Sequence, residues 1–140
     1  MAGEPVQKIT YINYASTYYP YVAGIAEPQQ YEGKFVQIRR GGTEYLVFSP
    51  KEFTRFHADI VQRFCGEHNI YGVYRTENKV FEITDPEWRV TGGGKFAIDR
   101  EKRDLRIHDN SLAYGKFEKQ GLKEKILSVS QLSDYDVRIE

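Results

Sequence analysis

Cysteine is nearly missing from this chain: Cys65 is one residue among 140. One thiol rules out an internal disulfide and fits a reducing compartment. An excess of charge is missing too, because 20 Lys and Arg face 20 Asp and Glu. No overall field therefore draws the protein towards duplex nucleic acid or an anionic membrane. Long apolar runs are absent, and no window reaches the roughly 20 residues that span a bilayer. Met1–Pro5 holds neither the basic nor the apolar stretch of a secretory leader. The expectation from these absences is a cytoplasmic monomer whose partners include neither membrane nor nucleic acid.

What is present fits one globular domain with a core of its own. Apolar residues make up 40% of the chain and aromatic ones 14%, and a domain of this length buries enough surface to need no staple. Eleven of the aromatics are tyrosines, a residue suited to sheet faces and half-wet core edges. Val6, Ile9 and Ile12 mark an N-terminal strand over 6–14, and the Tyr- and Pro-containing stretch 15–30 reads as irregular. Lys34–Arg39 alternates, and Arg40-Gly41-Gly42-Thr43 turns it into a hairpin with Glu44–Phe48. Further hairpins are expected over 70–76 with 79–84 and over 95–99 with 105–108, and a last strand over 135–139. No internal repeat or linker interrupts the chain.

Two helices are expected. Ser49-Pro50-Lys51-Glu52 has the composition of a capped start, with Ser49 as N-cap, Pro50 in the first turn and Glu52 closing a capping box. Phe53, Phe56, Ile60, Val61 and Phe64 follow at helical spacing and stop at Gly66. His57 then lies in mid-helix, on or beside the buried stripe. The second helix runs from about 116 to 127 and buries Phe117, Leu122 and Ile126. The class is α+β: a mixed sheet of about six strands with two main helices packed on it.

Several groups could carry chemistry. A neutral imidazole at His57 suits a nucleophile or general base near physiological pH. Gly92-Gly93-Gly94-Lys95 lacks the spacing of a P-loop and reads alone as a bulged strand entry. Ser111-Leu112-Ala113-Tyr114-Gly115 sits where a strand would meet the second helix, so its free amides and the Ser111 hydroxyl could meet an anion, or Ser111 could simply cap the helix. His68 reads as a solvated loop residue, and His108 is open between roles. Cys65 with His68 is half of a zinc motif without its second half, so neither metal nor cofactor is expected. No Gly-x-Ser-x-Gly elbow supports a serine hydrolase. Asp59, two residues from His57, points to another helix face and does not orient its ring.

Taken in order, five segments resemble the Janus/Ocnus family of phosphohistidine phosphatases. Gly33-Lys34-Phe35-Val36-Gln37-Ile38-Arg39 is similar to that family's lysine-bearing first strand. Phe56-His57-Ala58-Asp59-Ile60 resembles its aromatic-His-Ala-Asp-Ile motif. Gly92-Gly93-Gly94-Lys95-Phe96, Ser111-Leu112-Ala113-Tyr114-Gly115 and Ser133-Asp134-Tyr135-Asp136-Val137 are similar to its triple glycine, its Ser-Met-Ala-Tyr-Gly loop and its terminal strand. The resemblance covers about residues 31–140 and leaves residues 1–30 as an N-terminal extension. It implies a mixed sheet with a helix on each side and metal-free dephosphorylation of phosphohistidine, in proteins or in small phosphoramidates. Carried over, His57 becomes nucleophile or general base. Lys34 and Lys95 become charge partners of the phosphoryl group, and the Ser111 hydroxyl with the Ala58 and Ala113 amides become its hydrogen-bond donors. Ser49 stands where the family has an arginine, Lys95 replaces another, and the segment between His57 and Lys95 is about a hairpin longer. A phosphate-binding module of the same fold without turnover is the alternative. A single-strand nucleic-acid binder using exposed tyrosines is disfavoured by the neutral charge.

Overall fold

A computed structural model of the chain describes residues 5–140; residues 1–4, the start of the expected extension, lie outside the described residues. Six strands form one mixed sheet in the order β1-β3-β2-β6-β7-β8, and two more, β4 Gly72–Arg75 and β5 Val80–Ile83, form a separate hairpin. The strands of the large sheet are β1 Lys8–Asn13, β2 Gln30–Arg40, β3 Thr43–Pro50, β6 Trp88–Asp99, β7 Asp104–His108 and β8 Asp136–Ile139. β1 runs parallel to β3 and β8 parallel to β7, while the four central strands pair antiparallel. Strand β1 lies N-terminal to the stretch that carries the five motifs, yet it is an integral edge of the sheet.

Alternation along β2 sorts the core into two layers. Phe35 faces one side and packs with Phe48, Phe96, Ile107, Phe117, Leu122 and Ile126 under helix α3, Leu122–Leu127. Val36 and Ile38 face the other and pack with Ala58, Ile60, Val61 and Phe64 of helix α2, His57–Glu67. A helix therefore covers each face. The sequence reading of α+β with six strands and two main helices describes this architecture. No helix among the described residues is long and apolar enough to cross a membrane.

Both helix starts differ from expectation. Ser49 and Pro50 end β3, opposite Lys34 and Gly33 of β2. Pro50 lacks an amide hydrogen, and it sits beyond the β1 pairing, which stops at Phe48. The buried Ser49 hydroxyl bonds Thr54 Oγ1 rather than a helix. Residues 51–56 form a turn in which the amides of Phe53 and Thr54 donate to the Pro50 carbonyl. Helix α2 begins only at His57, after Phe56 in extended conformation, and the Asp59 carboxylate accepts the Phe56 amide at 3.3 Å. His57 is thus the first residue of its helix, not a mid-helix residue.

The second helix is shorter than expected, because Gly121 adopts φ +74° and restarts the backbone there. The preceding residues run beside the middle of β6, where the β7 pairing has stopped at Lys95, with Phe117 N–H on Gly93 O at 3.1 Å and Glu118 N–H on Gln37 Oε1 at 2.8 Å. The loop Ser111–Gly115 consequently does not meet a helix N-terminus, contrary to expectation, and Ser111 caps no helix. The stretch after β1 holds a short helix α1, Ala15–Thr17, and a wide helical turn over Tyr18–Ala23 that ends at Gly24 with φ +72°.

Candidate functional site

The site grows from the β2–β6 pair. Lys34 and Lys95 are direct cross-strand partners, and two residues further along Val36 faces Gly93. By alternation all four point to the α2 side. Two ammonium groups are therefore set side by side on one patch of sheet, an arrangement that repels unless an anion joins it. Asp109 partly answers this, pairing with Lys95 at 3.0 Å. Lys34 has no carboxylate partner among the described residues. Partial burial, and then the Lys95 charge, hold its ammonium below the usual lysine value, with Asp109 acting in opposition.

Helix α2 arrives over this patch with its N-terminus. Its first residue, His57, is only 7% exposed, and its Nε2 lies 2.9 Å from the Gly94 carbonyl oxygen. A carbonyl only accepts, so Nε2–H is the donor and the lone pair of the neutral ring falls on Nδ1. Nδ1 has no hydrogen-bond partner among the described residues. Burial pushes the imidazole below its ordinary pKa. The Gly94 bond opposes that push, while Lys34 and Lys95 add to it and Asp109 counters them. The ring is neutral at physiological pH.

The triple glycine explains how the ring comes so close. A Cβ on Gly93 would lie 2.6 Å from the Phe35 carbonyl oxygen and 3.0 Å from His57 Cδ2, and one on Gly94 would lie 2.7 Å from the His108 carbonyl. Gly92, at φ +155°, would drive a Cβ to 2.4 Å from the Lys116 carbonyl. The register shifts between Gln37 and Ile38, opposite Gly92 and Val90, so the bulge read from the glycines is present. It admits the 116–118 arm on one side and the imidazole on the other.

A cavity of about 640 Å³ opens above, lined among others by Lys34, His57, Ala58, Lys95 and Ala113. These residues come from four separate segments, so five of the six expected site residues share one concavity. The Ala58 amide is among the first-turn donors that a helix leaves unpaired, and the helix dipole adds partial positive charge there. Ser111 is the exception. It is 2% exposed, does not line the cavity, and its Oγ accepts the Tyr114 amide at 3.1 Å within the loop.

Other candidates resolve separately. Cys65 is buried in the α2 core, and burial pushes its thiol up to about 11, which keeps it protonated. His68 is exposed, as expected, but stacks on Phe64 with ring centroids 4.0 Å apart and donates from Nδ1 to the Phe64 carbonyl. His108 pairs with Lys95 across β6–β7 and lines a smaller cavity beyond the lysine pair, with Lys51. Asp59 bonds the Phe56 amide and leaves the His57 ring to Gly94.

Sequence reasoning missed the rim. Phe56, Asn78, Lys79, Asp109 and Leu112 also line the cavity. Asn78 and Lys79 belong to the turn between β4, Gly72–Arg75, and β5, Val80–Ile83. Tyr114 fixes that hairpin: its hydroxyl donates to the Phe81 carbonyl at 2.8 Å and accepts the Phe81 amide at 3.0 Å. The hairpin was legible in the sequence as strands and turn; nothing in its composition signals that its tip at Lys79 reaches back to a site whose His57 and Lys95 lie 22 and 16 residues away along the chain. No curated protein matches the chain. The model of the Janus/Ocnus family matches residues 32–136, three quarters of the chain and all five motif segments apart from Val137, and the protein belongs to that family.

Proposed function

We propose that the protein is a phosphatase acting on phosphohistidine or a related phosphoramidate, with His57 as the reacting base or nucleophile. The observation that carries this reading is the convergence of an unpartnered imidazole nitrogen, two lysines and a helix N-terminus on one cavity. Phosphoryl transfer asks mainly for charge stabilisation at the equatorial oxygens and for an in-line attacking group. Lys34, Lys95 and the amides of Ala58 and Ala113 supply the first. Nδ1 of His57 supplies the second, either by attacking phosphorus or by taking a proton from an attacking water. In both routes the P–N bond breaks as the leaving nitrogen gains a proton, and water ends up on phosphorus. No step calls on a metal.

The test is turnover of phosphoramidate and of a phosphohistidine peptide in the presence of a chelator. Wild type is expected to hydrolyse both, and His57→Ala to lose at least about a hundredfold, the lower range for a general base. Unchanged turnover in that variant removes His57 from the reaction. A second reading, a phosphate-binding module without turnover, is favoured by one observation: Ser49 offers a buried hydroxyl where the family has an arginine, and Lys95 already shares its charge with Asp109. That reading predicts phosphate binding and no hydrolysis.

A further inference from the structure

The cavity is far larger than a phosphoryl group, since about 640 Å³ is a volume that houses a ligand of drug size. Lys34 and Lys95 stand at one part of it, and a third cation, Lys79, lines it from the β4–β5 turn with Asn78 beside it. Lys79 Nζ lies 5.7 Å from the centroid of the Phe56 ring, and Arg55 approaches the same ring at 5.5 Å. No carboxylate among the described residues pairs with Lys79 or Arg55. Asp109, the acidic residue on the cavity wall, is engaged with Lys95. Tyr114 of the Ser111–Gly115 loop holds Phe81, two residues after Lys79, by both backbone atoms, which ties the base of the turn to the cavity wall. The cavity thus offers a second patch of positive charge beside an aromatic ring.

We infer that Lys79, Asn78 and Phe56 form a subsite for a carboxylate borne by the substrate, so that the ligand is a phosphorylated polypeptide with an acidic side chain next to the phosphorylated residue. This rests on the phosphatase reading for its phosphoryl site and adds the substrate class. Lys79 takes the carboxylate as a point charge, the Asn78 amide donates to it, and Phe56 packs against its methylene stem.

The test uses two peptides that carry a stable phosphonate analogue of phosphohistidine and differ only in having Glu or Lys beside it. Affinity is read by NMR titration of the full chain at low salt, and turnover is followed on the matching phosphohistidine peptides. Wild type is expected to bind the acidic peptide about fivefold more tightly, the size of one partly exposed ion pair. Lys79→Asn should bring the ratio close to one, and Lys79→Glu should invert it. Asn tolerates the left-handed backbone (φ +56°) that Lys79 adopts, and an unshifted Phe81 amide resonance shows that the hairpin is intact. A ratio unchanged across the three proteins, or no binding of either peptide, overturns the subsite. Selective binding through Lys79 without turnover keeps the subsite and removes the phosphatase reading; turnover without charge preference does the reverse.

Discussion

At the scale of single residues the account turns on His57. Its folded pKa lies below the roughly 6.5 of a free imidazole, so the folded state disfavours the proton. The neutral ring needed for catalysis then survives below pH 6.5, and activity should fall only as pH drops through the lowered value. The same shift makes stability depend on pH. The unfolded chain binds the proton first, so stability is complete above about 6.5 and declines as pH falls towards the folded value. His57→Gln should flatten that decline, as measured by urea unfolding at pH 7 and pH 5.5. Gly93→Ala is a second test, because its Cβ would meet the Phe35 carbonyl at 2.6 Å and the His57 ring at 3.0 Å. The backbone must shift to admit it, so the variant should lose stability along with activity, and an altered His57 side-chain NMR signal should accompany the loss in the fraction that folds. His57 itself was legible because its motif is distinctive. Its position as first residue of α2 was not, since Ser49-Pro50-Lys51-Glu52 imitates a cap that the sheet then claims for β3.

At the scale of elements, helix starts were the least legible feature. A cap is a local signal, and pairing with Gly33 and Lys34 overrides it at Ser49 and Pro50. Asp59, which really caps α2, looks in sequence like an ordinary first-turn acid. Asp59→Ala should therefore cost about 0.5–1 kcal/mol of stability as a lost cap. Restoring a cap with Phe56→Asp should recover the loss in thermal unfolding of the double variant. Gly121 shortens α3 for the converse reason: the residues before it find better partners in Gln37 and Gly93 than in a helix of their own. The hairpin β4–β5 packs on α2 through Phe81, Tyr74 and Ile83, and one hydroxyl ties its backbone to the Ser111–Gly115 loop. Tyr114→Phe leaves both Phe81 backbone groups unpaired, at about 1–3 kcal/mol for groups partly shielded from water. Hydrogen exchange at Phe81 should speed up in that variant while β2 and β6 stay protected; equal exchange would show that other contacts hold the hairpin.

At the scale of the whole molecule, class and strand number were legible because β-rich segments recur along the chain with strong turns between them, although β7 is the one of the four central strands whose burial alternates cleanly. The hairpin neighbours β2–β3, β4–β5 and β6–β7 were legible from their turns, whereas β1 beside β3, β2 beside β6 and β7 beside β8 were not, since those pairings join distant segments that no local pattern records. The joint between α3 and the sheet shows this. Glu44 of β3 is fully buried and meets Arg39 at 2.7 Å and Lys125 of α3 at 3.1 Å. Glu44→Ala strands two cations, and because Arg39 retains Glu118 the expected cost, about 2 kcal/mol, sits below the roughly 3–5 of a fully isolated buried pair. Denaturant unfolding measures it. The claim on which everything rests is that the folded chain presents a neutral His57 Nδ1 to a phosphate-sized centre of positive charge. A ¹⁵N and ¹H NMR titration of the histidine side chains with inorganic phosphate tests it most directly. The account predicts the Nε2–H tautomer at His57, a pKa below the free value, and phosphate-dependent shifts at His57, Lys34, Lys95, Ala58 and Ala113 together. An Nδ1–H tautomer, or a phosphate response that leaves His57 untouched, would contradict it.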